Sequence, residues 1–91
     1  MANHKSALKR HRQSLKRRLR NKATKSSYRT AIKQTRTAAT EGNFDQAQAN
    51  FKLAEKKLST AATKGVIHKR TAARTLSRLS KFVNAARSQA A

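Results

Sequence analysis

Apolar residues recur at steps of three and four over most of the chain, and nowhere does a period of two persist, so the sequence predicts helices and no strands. In the middle of the chain Phe44, Ala47, Phe51, Ala54, Leu58 and Ala61 fall on one stripe. Ala72, Leu76, Leu79, Val83 and Ala86 form another, and Tyr28, Ala31, Ile32, Thr35, Ala38 and Ala39 a third. Proline is absent and Gly42 and Gly65 are the only glycines. Each follows a stretch of helical spacing, the place where a left-handed cap ends a helix. Three helices are expected, over about residues 6–40, 44–64 and 69–87. Asn43 is a candidate N-cap, and Gln46 three residues later has the spacing of a capping box. Three facing stripes make an all-α three-helix bundle.

The predicted lengths do not match. At 1.5 Å per residue the first helix would be roughly 50 Å long and the others roughly 30 Å, so the first must overhang. The overhanging part, residues 5–22, carries nine cations and only Leu8, Leu15 and Leu19 as large apolar residues. Like charges at i, i+4 oppose a helix that lacks tertiary support. This segment is therefore expected to fray in the free protein and to order when its charges are neutralised. The chain reads as a single domain, 1–91, with a basic helical extension over 1–25 and the bundle over 26–91. The core should be thin, because 17 of the residues are Ala.

Charge decides the class of partner. The 91 residues carry 23 Lys and Arg against 3 Asp and Glu, a net charge of +20. Three carboxylates and no Cys leave little for acid–base chemistry, metal ligation or thiol nucleophiles, and so short a chain has no room for a deep cleft. An enzyme, a cofactor and a small-molecule substrate are not expected. The charge is unevenly placed: +13 over residues 1–40, zero over 41–63, where Glu41, Asp45 and Glu55 offset Lys52, Lys56 and Lys57, and +7 over 64–91. Chance clustering of solvated charge is the bland alternative; a polyanion met by two of the three segments is the sharper one.

Nucleic acid is favoured over membrane, since no apolar run approaches the roughly 18–20 residues of a membrane span and three leucines among nine cations give no clear apolar face. No secretory signal is seen. An Arg-rich, acid-poor start suggests a transit peptide, but the same composition returns at the other end. Lys9, Arg10, Arg12, Lys16, Arg17, Arg18, Arg20, Lys22 and Lys25 point round the first helix in every direction, which suits insertion between elements of a folded RNA better than one groove of a duplex. Lys64, Lys69, Arg70, Arg74, Arg78 and Lys81 form a second basic set. Ser and Thr are expected to add phosphate donors. Phe44, Phe51 and Phe82 read as packing residues, and Tyr28 as either core edge or RNA contact. His4, His11 and His68 are dispersed and offer no metal site.

The opening ANHKSALKR, with Ala2, Asn3, Lys5, Ser6, Ala7, Lys9 and Arg10, resembles the A-N-x-K-S-A-x-K-R motif of the bacterial small-subunit ribosomal protein twenty family. Ser26, Arg29, Thr30, Ile32 and Lys33 resemble its S-x-x-R-T-x-I-K pattern, and KGVIHK followed by AAR, residues 64–69 and 72–74, resembles the start of its third helix. The resemblance implies a three-helix bundle with a long first helix, cytoplasmic in the small subunit, bound directly to ribosomal RNA near the bottom of the particle and joining assembly early. It implies RNA contacts at Asn3, Lys5, Ser6, Lys9, Arg10, Ser14, Lys16, Asn21, Arg29 and Lys33, and at His68, Lys69 and Arg74. The family commonly has Asn where Arg70 stands and often Lys where Leu76 stands, which sets the core assignment of Leu76 against the family pattern. No homo-oligomer is expected. A DNA-compacting nucleoid protein is the rival that composition alone allows, although such proteins usually separate the basic tail from the globular module.

Overall fold

The computed structural model describes residues 2–90, with the side chains of residues 5–90. Three helices follow in order, α1 (Ala2–Thr40), α2 (Phe44–Thr63) and α3 (Lys69–Ala90), and no strand occurs among the described residues. α1 begins four residues earlier than the spacing predicts, and α3 runs three residues further. Neither extra turn is set by apolar spacing; polar and small residues simply continue the helix. The molecule measures 70 × 21 × 14 Å, because α1, with 39 residues and so about 58 Å of rise, outruns both partners.

Both helix ends at glycine close in the same way. Gly42 and Gly65 adopt φ of 80° and 78°. In the first, the Gly42 N–H donates to the Ala39 carbonyl and the Asn43 N–H to that of Ala38; in the second, Gly65 donates to Ala62 and Val66 to Ala61. These paired bonds satisfy carbonyls that a helix end would otherwise leave open, in the Schellman arrangement. Asn43 then serves the next helix: its side-chain oxygen accepts from the Gln46 N–H at 3.3 Å. The reciprocal half of the expected capping box does not form. The Asn43 N–H is already committed to Ala38, so the Gln46 side chain instead reaches Asn50 at 3.4 Å.

The three predicted stripes meet. Tyr28 packs with Leu58, Ala61 and Ala72; Ala31 with Ala54 and Leu79; Ala38 and Ala39 with Ala47 and Val83. Ascending α1 therefore meets α2 in reverse order and α3 in the same order, so α2 is antiparallel to α1 and α3 parallel to it. Alanine dominates the contact, which lets the helices approach closely but buries little area per residue. Leu58 and Leu79 are the large fully buried side chains, and Thr35 is buried with its hydroxyl donating to the Ala31 carbonyl at 2.8 Å. Leu76 packs half-buried against the Tyr28 cluster, so it belongs to the core of this chain. Tyr28 is likewise core.

Phe82 departs from expectation. Val83 takes the core position, and the neighbouring residue is turned about 100° away on the helix. Phe82 is consequently 39% exposed, with the Arg36 guanidinium 5.5 Å from its ring centroid. Phe44 and Phe51 are half-buried, and Arg87 lies 5.6 Å from the Phe44 centroid.

Candidate nucleic-acid interface

Every residue from Lys5 to Ala23 is exposed, Leu8, Leu15 and Leu19 included, and the first half-buried residue of α1 is Thr24. The basic overhang is thus a solvent-exposed helix, approached by the rest of the chain where Arg17, Arg20 and Asn21 stand near Lys64, Gly65 and Val66. Its azimuths sort the candidate residues. Ser14, Arg18, Lys22, Ser26 and Thr30 step by four, and each step of four advances about 40° round the axis, so this ridge winds as it climbs. Together with Arg17, Asn21, Lys25, Arg29 and Lys33 it lines a shallow channel of about 880 Å³ along α1. Six cations border that channel and no acid does. From Ser14 to Lys33 the helix rises about 29 Å.

The other candidates are placed elsewhere. Lys5, Ser6, Lys9, Arg10, Arg12 and Lys16 stand exposed further out on the overhang. The side chains of Asn3 and His4 lie outside the described residues. Arg20 turns away from the channel towards the connection between α2 and α3, where Lys64 stands. On α3, Arg70, Arg74 and Arg78 step by four on the side opposite Ala72, Leu79 and Val83, with Lys81 among them and Lys69 at the helix start, all exposed. They do not join the α1 channel. Apart from Lys64, which stands with Arg17 and Arg20, the two basic sets are separate surfaces, with the nearly neutral α2 packed against both helices.

Hydrogen bonds within the chain already engage two kinds of candidate group. Thr hydroxyls are poor phosphate donors here: those of Thr24, Thr30, Thr37, Thr40, Thr60, Thr63 and Thr75 each donate to the carbonyl four residues earlier, at 2.8–3.0 Å. A hydroxyl has one proton to give, so these oxygens face outward as acceptors. His68, singled out as an RNA contact, is the N-cap of α3. Its ring Nδ1 accepts from the Arg70 N–H at 3.1 Å and its carbonyl accepts from the Ala72 N–H. Histidine is absent from the common cap residues, so composition carried no signal for it.

What the surface can do is electrostatic. A basic helix free on all sides, with Arg forks able to grip phosphate oxygens in pairs, neutralises a polyanion and displaces its counterions. Among the described residues no group of three His, Cys, Asp or Glu could hold a metal ion, and no helix is long and apolar enough to cross a membrane.

Comparison with known proteins bears on which polyanion this is. Residues 2–84 match the family model described as ribosomal protein S20. The small ribosomal subunit protein bS20 of Oleidesulfovibrio alaskensis is 56% identical over 84 residues, covering 92% of this chain and 97% of that protein. Its counterpart in Shouchella clausii is 54% identical over 84 residues, with 92% and 96% covered. That of Solidesulfovibrio magneticus is 52% identical over 88 residues, with 97% and 99% covered.

Proposed function

We infer the role from kinship and charge together: the chain belongs to the ribosomal protein S20 family, and it acts as a structural constituent of the small ribosomal subunit that binds small-subunit rRNA directly. It is cytoplasmic, non-catalytic and active as one copy, with rRNA as its partner and no small-molecule substrate. The observation that carries this reading is the acid-free channel along the exposed part of α1, with Arg17, Arg18, Lys22, Lys25, Arg29 and Lys33 on its borders.

The working parts divide at about residue 25. The extension, residues 1–25, lies between rRNA helices, offsets phosphate repulsion where they converge and so favours their folded arrangement during assembly. The bundle, residues 26–91, holds the extension at a fixed angle and offers the outer row of α3 as a second contact. Nine cations over residues 5–22 repel one another in the free helix, with like charges at i, i+4 in the pairs Lys5/Lys9, Arg12/Lys16, Lys16/Arg20 and Arg18/Lys22. Bound phosphate removes that cost, so binding and helix formation support each other.

A competition experiment tests the reading. The full chain bound to folded small-subunit rRNA is challenged with duplex DNA at matched salt. Retention on rRNA is the expected result. Equal affinity for the two would overturn the ribosomal reading in favour of a DNA-compacting role.

A further inference from the structure

The row of α1 that packs the bundle, Ala38, Thr35, Ala31 and Tyr28, continues towards the N-terminus at the same spacing of three and four into Thr24, Asn21 and Arg17, with Arg20 beside them. At Tyr28 the partners run out, because α2 ends and the chain turns into α3 through residues 64–68. The inner face of α1 therefore leaves the core and opens onto a concave corner of about 380 Å³. Arg17, Arg20, Asn21 and Thr24 form one wall, and Lys64, Gly65 and Val66 the other.

The walls belong together chemically. Three cations converge on this corner from two sides, and its lining contains no carboxylate. The nearest acid along α2 is Glu55, nine residues from Lys64 and so about 13.5 Å down the helix. A concavity lined by one sign of charge focuses potential and draws in a counter-charge. Its other polar groups are acceptors or mixed: Thr24 gives its proton to the Arg20 carbonyl at 3.0 Å and keeps its outer lone pairs, and Asn21 carries an amide. The Gly65 and Val66 N–H groups are consumed in closing α2, so the wall donates through side chains only.

We propose that this corner is a binding site for one ribose–phosphate segment of an RNA strand, gripped at phosphate by Arg17, Arg20 and Lys64 and at the 2′-hydroxyl by the Thr24 and Asn21 oxygens. The site rests on the rRNA-binding reading above and deepens it. A phosphate alone would use the cations, while the Thr24 hydroxyl oxygen, its proton already given to Arg20, and the oxygen of the Asn21 amide can also accept from a donor on the same ligand. The 2′-hydroxyl is that donor, and deoxyribose lacks it. The corner also fixes the direction of the overhang, since the strand it holds touches both α1 and the α2–α3 connection.

The test is a double-mutant cycle on the full chain with Arg20→Gln and Lys64→Gln, reading affinity for folded small-subunit rRNA at several salt concentrations. Each single variant is expected to weaken binding about tenfold and to lower the salt slope by about 0.7–0.9. If both grip one strand, removing either loosens it at the other, and the double variant falls well short of the roughly hundredfold weakening that independent grips would give. Thr24→Val, which keeps the shape and removes the acceptor, should weaken rRNA binding about three- to tenfold and leave duplex DNA binding unchanged. Lys64→Arg should bind as the wild type does. Strictly additive effects, no weakening in the single variants, or a Thr24→Val effect equal on RNA and DNA would each overturn the corner site. A wild-type chain without preference for rRNA would instead overturn the function it rests on. All three positions lie outside the bundle core, and an unchanged circular dichroism spectrum separates weakened binding from a damaged fold.

Discussion

Leu58→Ala is the sharpest test of what holds the bundle together. Leu58 is, with Leu79, one of the two large apolar side chains that are fully buried, in a core built mostly from alanine. The substitution removes three carbons, worth about 2.4 kcal/mol at roughly 0.8 kcal/mol per buried carbon. The cavity adds to this, because the fully buried neighbours include Ala61 and the nearly buried ones Ala72, which cannot lean in to fill it. Ile32 and Leu76, half-buried at the edge of the same cluster, can recover part of the loss, so about 3 kcal/mol is expected in all. A bundle of this size has about 3–10 kcal/mol of stability, so the variant stands near the threshold of folding. Urea denaturation followed by circular dichroism reads the change. With a slope of about 1 kcal/mol/M, the midpoint should fall by roughly 2–3 M. Leu53→Ala, at a position 42% exposed, is the control and should stay within about 0.5 kcal/mol of the parent. A loss below about 1 kcal/mol at Leu58, with the slope unchanged, would refute the view that a few large residues carry an alanine-rich core.

Gly65→Ala should cost about 1–2 kcal/mol through backbone strain alone, since φ is +78° and nothing lies within 4 Å of the added carbon; thermal melting would detect it, and Gly65→Asn should cost less. His68→Ala removes the cap of α3 and should lower stability by about 1 kcal/mol, while His68→Asn should restore it within a few tenths, measured in the same urea titration. Neutralising Lys9, Arg10 and Lys16 together to Gln should reduce rRNA affinity and lower the salt slope by about 0.7–0.9 for each phosphate left without its cation, whereas Glu41→Gln should change neither.

Much of the architecture was legible in residue spacing. The stripes through Tyr28, Ala47 and Leu79 predict three helices because helical period is a local property of the chain. Gly42 and Gly65 mark the ends because only a residue without a side chain takes positive φ at no steric cost. Phe82 leaves its predicted place for a related reason. A residue next to a core position sits about 100° off it, so the stripe that carries Val83 inward turns its neighbour Phe82 outward. The expected capping box failed at Asn43 because one N–H had two candidate partners, and the closing turn of α1 took it. The use of threonine protons is a conformational outcome that composition leaves open: the same residues donate to phosphate in a loop and to the preceding turn in a helix.

The sequence by itself determined the number of helices, the glycine-marked ends of α1 and α2, the overhang of α1 and the charge layout of +13, zero and +7 that calls for a polyanion. These follow from period, glycine and charge, which are read residue by residue. Only the tertiary structure decided which cations share a surface. Arg17, Arg20 and Lys64 meet at one corner although the first two stand far from the third in the chain, and Arg70, Arg74 and Arg78 stay apart on the far side of α3. Such groupings depend on how far α1 runs past its partners and on the azimuth at which the helices pack, and both are fixed by the burial of a few side chains between them.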